Sequence, residues 1–241
     1  MVIEAEYTRH FQDLNEAIRQ AADSQIEINP CMGQRYIASG SAGKEISIYG
    51  TPGNALGAYL NGSRIEVFGN VQDATGDTMN DGEIIVHGSA GDAPGYGMRG
   101  GCILVEQNAG YRAGIHMKSY KDKIPSLIIG GCAGSFLGEY LAGGVIVVLG
   151  LGADQTPIAG NFCGTGMHGG KIILRTDTLP ADLPEQVSAH KAEAAELAEI
   201  KGYVARYETA FEVDLSDIFE QTFWILTPNA KNPYHQLYTQ Q

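Results

Sequence analysis

The segment Gly57-Ala-Tyr-Leu60-Asn-Gly-Ser-Arg-Ile-Glu-Val67 carries a short pattern: a glycine, a leucine or methionine three positions later, and then an aliphatic residue. The glycines of successive copies lie 19, 19, 19, 24 and 26 residues apart. Four extra residues in the polar run Lys118 to Lys123 explain most of the difference between the step of 24 and the usual 19. The sequence therefore predicts a repeat of about 19 to 20 residues with loop insertions. The six copies are Gly57/Leu60/Val67, Gly76/Met79/Val86, Gly95/Met98/Val105, Gly114/Met117/Ile128, Gly138/Leu141/Val148 and Gly164/Met167/Leu174.

Two series of aliphatic residues repeat with the same spacing of 19. Such short repeats cannot bury their apolar side alone, so neighbouring repeats must stack on one another. This predicts an all-β fold, a single-stranded right-handed parallel β-helix of about six to seven coils. The left-handed form is disfavoured because its six-residue aliphatic period is absent. The predicted inward stacks are Ile46/Ile65/Ile84/Ile103 and Ile48/Val67/Val86/Val105.

The chain is expected to have three parts. Residues 1–40 are predicted to form an N-terminal cap and a first, irregular coil, residues 41–176 the β-helix, and residues 177–241 a C-terminal helix and an aromatic tail that pack on the solenoid. A terminal cover is expected because an end coil otherwise exposes its core and a strand edge.

At the N-terminal end, a short amphipathic helix is predicted to begin near Thr8, with one apolar face of Phe11, Leu14, Ile18 and Ala21. The stretch Ile26 to Gly40 is interpreted as the irregular coil, and Ile46-Ser-Ile48 as the first regular strand. At the other end, Glu185 to Lys201 is predicted to be a helix that Gly202 terminates, with a stripe of Val187, Ala194 and Leu197. The aromatic tail runs from Phe211 to Tyr238.

The middle residue of each predicted strand points outward, and these residues change from polar to apolar along the helix axis. Exposed apolar area of this kind requires a cover. Two covers are considered, the C-terminal segment of the chain itself and a partner subunit. The outward residues are interpreted as Ser47, Glu66, Ile85, Leu104, Leu127, Val147 and Ile173.

Composition excludes several classes of function. With 16 basic and 28 acidic residues the net charge is −12, which disfavours nucleic acid or an anionic membrane as the ligand. Residues Met1 to Arg9 lack the apolar core of a signal peptide, and no apolar run of about 18 residues occurs, so a cytoplasmic protein is expected. The four cysteines show no C-x-x-C spacing and are interpreted as free thiols.

Motifs that suggest chemistry are weak. Gly95 to Gly100 and Gly164 to Gly169 match the dinucleotide fingerprint G-x-G-x-x-G, but strand sequence follows each of them where a helix would be needed. The six histidines form no zinc-binding pair. A polysaccharide-cleaving β-helix would need outward carboxylates, and only Glu66 is found there. No catalytic, cofactor-binding or metal-binding residue is therefore predicted.

Four residues form a candidate contact surface: Arg99, Arg112, His116 and Lys118. Arg99 and Lys118 are 19 apart, so stacking should place them on one edge. In an acidic protein, this strip of positive charge would suit a partner surface that bears carboxylates. Alternatively, these side chains only solvate turns and pair with Asp92, Glu106 or Asp122.

Several turn phrases closely resemble the C-terminal β-helical domain of glutamate synthase, the GXGXG domain, over roughly residues 30 to 176. The likeness is greatest to the free-standing form of that domain, also called domain 3 of the large subunit, although the strict pentapeptide Gly-x-Gly-x-Gly is absent. The phrases are Gly69-Asn-Val-Gln-Asp, Gly76-Asp-Thr-Met-Asn-Asp-Gly82, Val86-His-Gly88, Ala93-Pro-Gly95-Tyr-Gly97-Met-Arg-Gly-Gly101, Tyr111-Arg-Ala-Gly-Ile-His-Met-Lys118 and Gly138-Glu-Tyr-Leu-Ala-Gly-Gly144.

The resemblance implies a non-catalytic structural subunit. Glutamate synthase transfers the amide nitrogen of glutamine to 2-oxoglutarate, and its amidotransferase and FMN and iron–sulfur synthase domains do the chemistry. This chain would need separately encoded partners that carry those cofactors, and a homo-oligomer is also compatible with the sequence. Two related possibilities stay open, the small subunit of N-methylglutamate synthase-type complexes and the β-helical subunit of formylmethanofuran dehydrogenase, a molybdenum or tungsten enzyme.

Overall fold

The computed structural model describes residues 1–5, 9–153 and 157–229, and within these ranges it contains one sheet of 11 strands with two α-helices. The helices are α1 (Phe11–Gln20) and α2 (Ala194–Phe211), and a short 3-10 helix spans Ser216–Glu220. The strands are β1 (Val2–Ala5), β2 (Gln25–Met32), β3 (Glu45–Thr51), β4 (Asn61–Phe68), β5 (Asp81–Val86), β6 (Cys102–Val105), β7 (Ser126–Ile129), β8 (Ala142–Val148), β9 (Gly169–Arg175), β10 (Val187–Lys191) and β11 (Phe223–Pro228).

The sheet is mostly parallel and is open at both ends. Strands β1 to β9 follow one another in chain order, and β11 and then β10 continue the sheet in antiparallel fashion beyond β9. The predicted register is confirmed for strands β3 to β6, because Ile46 pairs with Ile65, Ile65 with Ile84 and Ile84 with Ile103. All eight residues of the two predicted stacks are buried in the inner core.

Consecutive repeats are also joined away from the strands. A line of isolated parallel bridges links Val71, Ala90, Ala109, Ala133 and Ala159. A third line of backbone hydrogen bonds joins the predicted glycines to the preceding repeat, as in Gly57 N to Ile37 O and Gly114 N to Pro94 O, both 2.8 Å. Each repeat therefore contacts its neighbours along three separate lines of backbone contacts.

The third line is built from five-residue segments with an unusual backbone. In each segment the first, third and fifth residues have φ between 51° and 73°, the left-handed (αL) region that side chains normally avoid. The third residue is glycine in six segments, because a Cβ there would meet the core: at Gly76 it would lie 2.4 Å from Ile103 Cδ1. In the described residues there are seven segments: 36–40, 55–59, 74–78, 93–97, 112–116, 136–140 and 162–166.

Side chains from outside the repeats complete the two ends of this third line. The first segment has no preceding repeat, and its Ala38 N–H is instead accepted by Asn15 Oδ1 of α1 at 3.0 Å. The last segment has no following repeat, and its Phe162 N–H is accepted by Asp182 Oδ2 at 2.7 Å. In the middle of the stack, the neighbouring repeat accepts the equivalent backbone N–H groups. At the two ends no such repeat exists, and the side-chain oxygens of Asn15 and Asp182 take its place, as expected of capping elements.

The N-terminal region differs from the prediction. Helix α1 forms, with Leu14 and Ile18 buried, but it begins at Phe11, while Thr8 lies outside the described residues. The stretch predicted as an irregular first coil contains strand β2, whose Ile26 and Ile28 pair with Ile46 and Ile48. The first regular strand is therefore not at Ile46 to Ile48, since β1 and β2 precede it.

The C-terminal helix lies later in the chain than predicted. Residues 187–191 form strand β10, and α2 continues through Gly202 to Phe211. Gly202 does not stop the helix; the helix ends at Phe211, and the residue that follows it, Glu212, is left-handed with φ 54°. Its buried residues are Ile200, Val204, Tyr207 and Phe211, not the predicted stripe of Val187, Ala194 and Leu197.

The described part of the aromatic tail contains the end of α2 at Phe211, the 3-10 helix Ser216–Glu220 and strand β11. Phe223, Trp224 and Ile225 of β11 pair with Arg175, Leu174 and Ile173 of β9. The rest of the predicted tail, including Tyr234 and Tyr238, lies outside the described residues. Neither helix in the described ranges has the length and apolar character required to span a bilayer.

Helix α2 covers the apolar outward side of the sheet. The outward residues Ile85, Leu104, Val147 and Ile173 form a second buried cluster with the helix. Two salt bridges hold the helix to the strands, Arg206 to Glu83 at 3.2 Å and Lys171 to Glu199 at 2.7 Å. The Tyr207 hydroxyl also donates to the Glu106 carbonyl at 2.7 Å. The cover is thus a segment of the chain itself.

One register prediction is wrong. Val105 pairs with Ile129, so Ile129 and Leu127 belong to the inner core, and Ile128 points outward under α2. The sequence pattern predicts the reverse, with Ile128 inward and Leu127 outward. The insertion after Met117 therefore has five residues rather than four, since Cys102 pairs with Ser126 across 24 positions.

Candidate partner-binding surface

The first and fifth positions of the αL segments point away from the core and form one side of the molecule. We call this side the αL face and define it by the residues 36, 40, 55, 59, 74, 78, 93, 97, 112, 116, 136, 140, 162 and 166 with their immediate neighbours. Helix α2 lies over the strands and leaves this side uncovered. Six large hydrophobic residues are exposed on it: Tyr36, Tyr59, Tyr96, Tyr111, Tyr140 and Phe162.

Two rows of rings run across consecutive repeats of the αL face. In one row Tyr111, Phe136 and Phe162 are in contact, with ring centroids 5.3 and 4.9 Å apart. In the other, His116 stacks on Tyr140 at 5.2 Å and meets Tyr96 edge-on at 5.8 Å. Tyrosine-rich exposed surfaces are typical of protein interfaces, where rigid rings bury much area at low entropic cost.

Arg112 lies between the rings of the first row. Its guanidinium carbon is 5.7 Å from the Tyr111 ring centre and 5.4 Å from that of Phe136. Its Nε donates to Glu139 Oε2 at 3.0 Å, and Glu139 is only 9% exposed. The arginine is therefore held by two cation–π contacts and a largely buried carboxylate.

The other predicted residues lie close by. Arg99 and Lys118 occupy equivalent positions of adjacent repeats, since Lys118 N donates to Met98 O, and both side chains are exposed. His116 is the fifth residue of the segment that Arg112 begins. Arg112 pairs with Glu139, not with the predicted Asp92, Glu106 or Asp122. Neither Arg99 nor Lys118 forms an ion pair with any described residue.

Sequence reasoning found the cations but missed the rings. A signal was present, because an aromatic or histidine residue follows the repeat glycine by two positions in Gly57-Ala-Tyr59, Gly114-Ile-His116 and Gly138-Glu-Tyr140. The side chain two positions after the glycine points outward only because every second residue of the segment is αL. The sequence does not reveal this alternation of backbone conformation. The rows of rings are therefore visible only in the folded chain.

A second polar group lies at the edge of the strands. Tyr49, Phe68 and His87 stack with centroids 4.7 and 4.9 Å apart, and His87 Nε2 is 2.9 Å from Glu66 Oε1. Glu66 also lies 3.4 Å from Arg64, so the one outward carboxylate considered for sugar cleavage is in contact with both His87 and Arg64. Its surroundings fit a structural network better than a catalytic acid.

Three of the four cysteines are buried and poorly suited to nucleophilic chemistry. Burial raises the pKa of the Cys31 and Cys102 thiols to about 11 and that of the Cys163 thiol to about 12. None of the four forms a disulfide, as the sequence predicted.

Within the described ranges, no group of three or more His, Cys, Asp and Glu side chains is arranged to hold a metal ion. Strands β6 and β9 follow the two fingerprint-like segments, which confirms that these belong to the repeat.

Thiol labelling tests this burial. At about pH 8 a thiol of pKa about 11 is roughly 0.1% thiolate, so a disulfide reagent should label about one thiol per native chain, the half-buried Cys132. All four should react after unfolding in guanidinium chloride. A Cys132→Ser variant should lose the native signal, and labelling of two or more native thiols would contradict the buried positions.

The fold and this surface define a class: a stacked repeat protein whose chemically distinctive groups lie on an exposed face. The chain belongs to the GXGXG motif family, which it matches over residues 15–229. This confirms the family assigned from the sequence and is consistent with the stand-alone GXGXG domain of glutamate synthase. The chain is also 42% identical over 243 residues to the uncharacterized protein MJ1350 of Methanocaldococcus jannaschii, covering 95% of this chain and 93% of the relative.

The αL segments give a physical reason for a Gly-x-Gly-x-Gly pattern. Its three glycines correspond in spacing to the first, third and fifth residues of each segment, which all have positive φ. In this chain glycine occupies the third position of six of the seven described segments, where in most cases a Cβ would crowd a core side chain, while other residues occupy the first. The strict pentapeptide is thus absent although its backbone geometry is present.

Proposed function

We propose that the repeats wind into a single-stranded right-handed parallel β-helix of about six to seven coils, and that the chain is the non-catalytic structural subunit of a cytoplasmic glutamate synthase-type complex. The observation that carries this proposal is the family match, which extends over residues 15–229 and so includes both the repeats and α2. The three lines of contacts between repeats support the β-helical winding.

In this role the chain provides a surface that the partner subunits bind. The separately encoded partners, an amidotransferase and an FMN synthase subunit, would carry the FMN and the iron–sulfur cluster and perform the transfer of nitrogen. Exposed tyrosines with interspersed arginine, as on the αL face, have the composition of a protein interface. Arg99, Arg112, His116 and Lys118 are proposed to belong to the contact.

Co-expression with the products of neighbouring genes tests the proposal. We expect a stable complex with an amidotransferase and an FMN synthase subunit that makes glutamate from glutamine and 2-oxoglutarate, and lower activity when this chain is omitted. The purified chain alone should be colourless and should lack glutaminase activity. A flavin or iron–sulfur spectrum from the chain alone, or a complex only with molybdopterin-enzyme subunits, would contradict the assignment.

A further inference from the structure

Arg112 differs from the other cations of the αL face because it is fixed before any partner arrives. Arg99 and Lys118 have no ion-pair partner among the described residues, whereas Arg112 is held by Glu139 and by the rings of Tyr111 and Phe136. The contact with Glu139 uses Nε alone. The terminal nitrogens Nη1 and Nη2 have no hydrogen-bond partner in the described part of the chain.

Those two nitrogens can act together. A guanidinium presents its N–H groups as a planar fork that matches the two oxygens of a carboxylate. Because the rings and Glu139 already orient the fork, little further entropy is lost when an anion binds. The neighbouring rings, with Phe162 48% exposed, supply apolar surface that can exclude water around such a pair.

The charge around Arg112 favours an acidic partner. Glu139 pairs with Arg112 and Asp81 with Lys123, but the cations Arg99, Lys118 and Lys121 of the same stretch have no ion-pair partner among the described residues. This contrasts with the whole chain, which has 16 basic and 28 acidic residues. Phosphate-rich partners such as nucleic acid would be repelled by the net charge of −12. A protein surface with a localised carboxylate fits both the local and the overall charge.

We propose that Arg112 is the anchor of the subunit interface and binds a carboxylate side chain of the partner protein through Nη1 and Nη2, with apolar partner groups packed on Phe136 and Phe162. Glu139 acts as a positioning residue that orients the guanidinium. The inference rests on the proposed function, because it requires a partner subunit. It goes further than that function because it names the residue that recognises the partner, Arg112, and the chemical group that this residue binds, a carboxylate.

Binding measurements on the complex with the amidotransferase and FMN synthase subunits test the anchor. Arg112→Lys keeps a charge opposite Glu139 but loses the fork, and we expect affinity about tenfold weaker, mainly through faster dissociation. Arg112→Ala should weaken binding about 30-fold or more. The matched control Arg99→Ala should change affinity less than about threefold and act mainly on the association rate.

A charge-reversal experiment distinguishes direct recognition by Arg112 from a purely structural role. Arg112→Glu should abolish binding, and a partner variant in which the facing Asp or Glu becomes Arg should restore it. Circular dichroism and melting temperature of Arg112→Lys should match those of the wild type, so that loss of binding is not loss of fold.

The possible failures are distinguishable. If the wild type forms no complex with these subunits, the proposed function fails and the anchor with it. If the wild type binds and the folded Arg112→Lys and Arg112→Ala variants bind equally well, the anchor fails and the proposed function stands. If the chain alone forms a dimer that Arg112→Ala dissociates, the occupant is a second copy and the inference is wrong.

Discussion

Replacing Gly114 by alanine is expected to lower the free energy of unfolding by about 3 kcal/mol or more. Gly114 has φ 69°, where an L-residue costs about 1–2 kcal/mol. An added Cβ would also lie 2.3 Å from Ile146 Cδ1 and 3.1 Å from Met117 Sδ, and overpacking of this kind costs about 1–3 kcal/mol. Urea unfolding of the purified chain measures the difference.

Two other glycines separate backbone strain from crowding. Gly97 has φ 58°, but its added Cβ would meet only Thr78 Oγ1 at 3.6 Å, so Gly97→Ala should cost about 1 kcal/mol. Gly202 lies inside α2 with open space around it, so Gly202→Ala should add about 0.5–1 kcal/mol of stability. If Gly114→Ala cost no more than Gly97→Ala, the inward direction of the third position would be refuted.

Leu104→Ala is expected to cost about 2–5 kcal/mol, although Leu104 points away from the inner core. Leu104 is the outward middle residue of β6, and it is fully buried in one cluster with Val204 and Tyr207 of α2. The strand and the helix are both fixed by other contacts, so they cannot collapse fully into the cavity. Thermal or urea unfolding of the variant measures the loss.

Ser47→Ala is the matched control for this change. Ser47 holds the same outward position in β3, where α2 does not cover the sheet, and it is only partly buried. Its replacement should change stability by no more than about 0.5 kcal/mol. Similar losses for Leu104→Ala and Ser47→Ala would mean that α2 does not pack on the sheet.

The sequence alone determined the repeat and its inner core. Ile46, Ile65, Ile84 and Ile103 recur at a spacing of 19 because each repeat must present the same side chain to the same layer, and the structure pairs all four. In β3 and β4 polar outward residues alternate with them, so period-two alternation fixed the register. The family could also be assigned, because its turn phrases are local.

The features that depend on burial by distant parts of the chain were decided only by the tertiary structure. Leu127, Ile128 and Ile129 are all apolar since the core covers one side and α2 the other, so no alternation marked the inward residues. The composition of residues 185–201 suggested one helix, but residues 187–191 pair with β11, a contact across about 35 positions that local propensity does not encode. The first αL segment, 36–40, is not apparent from the sequence because Ala38 stands where the other six segments have glycine.

The αL face likewise required the three-dimensional arrangement. Its rings and Arg112 lie in adjacent repeats, and their contacts depend on backbone that alternates between positive and negative φ. Five aromatic residues of this face adopt positive φ against their local preference: Tyr36, Tyr59, Phe136, Tyr140 and Phe162. Stacking between repeats supplies the hydrogen bonds that hold this backbone, and only the folded chain contains them.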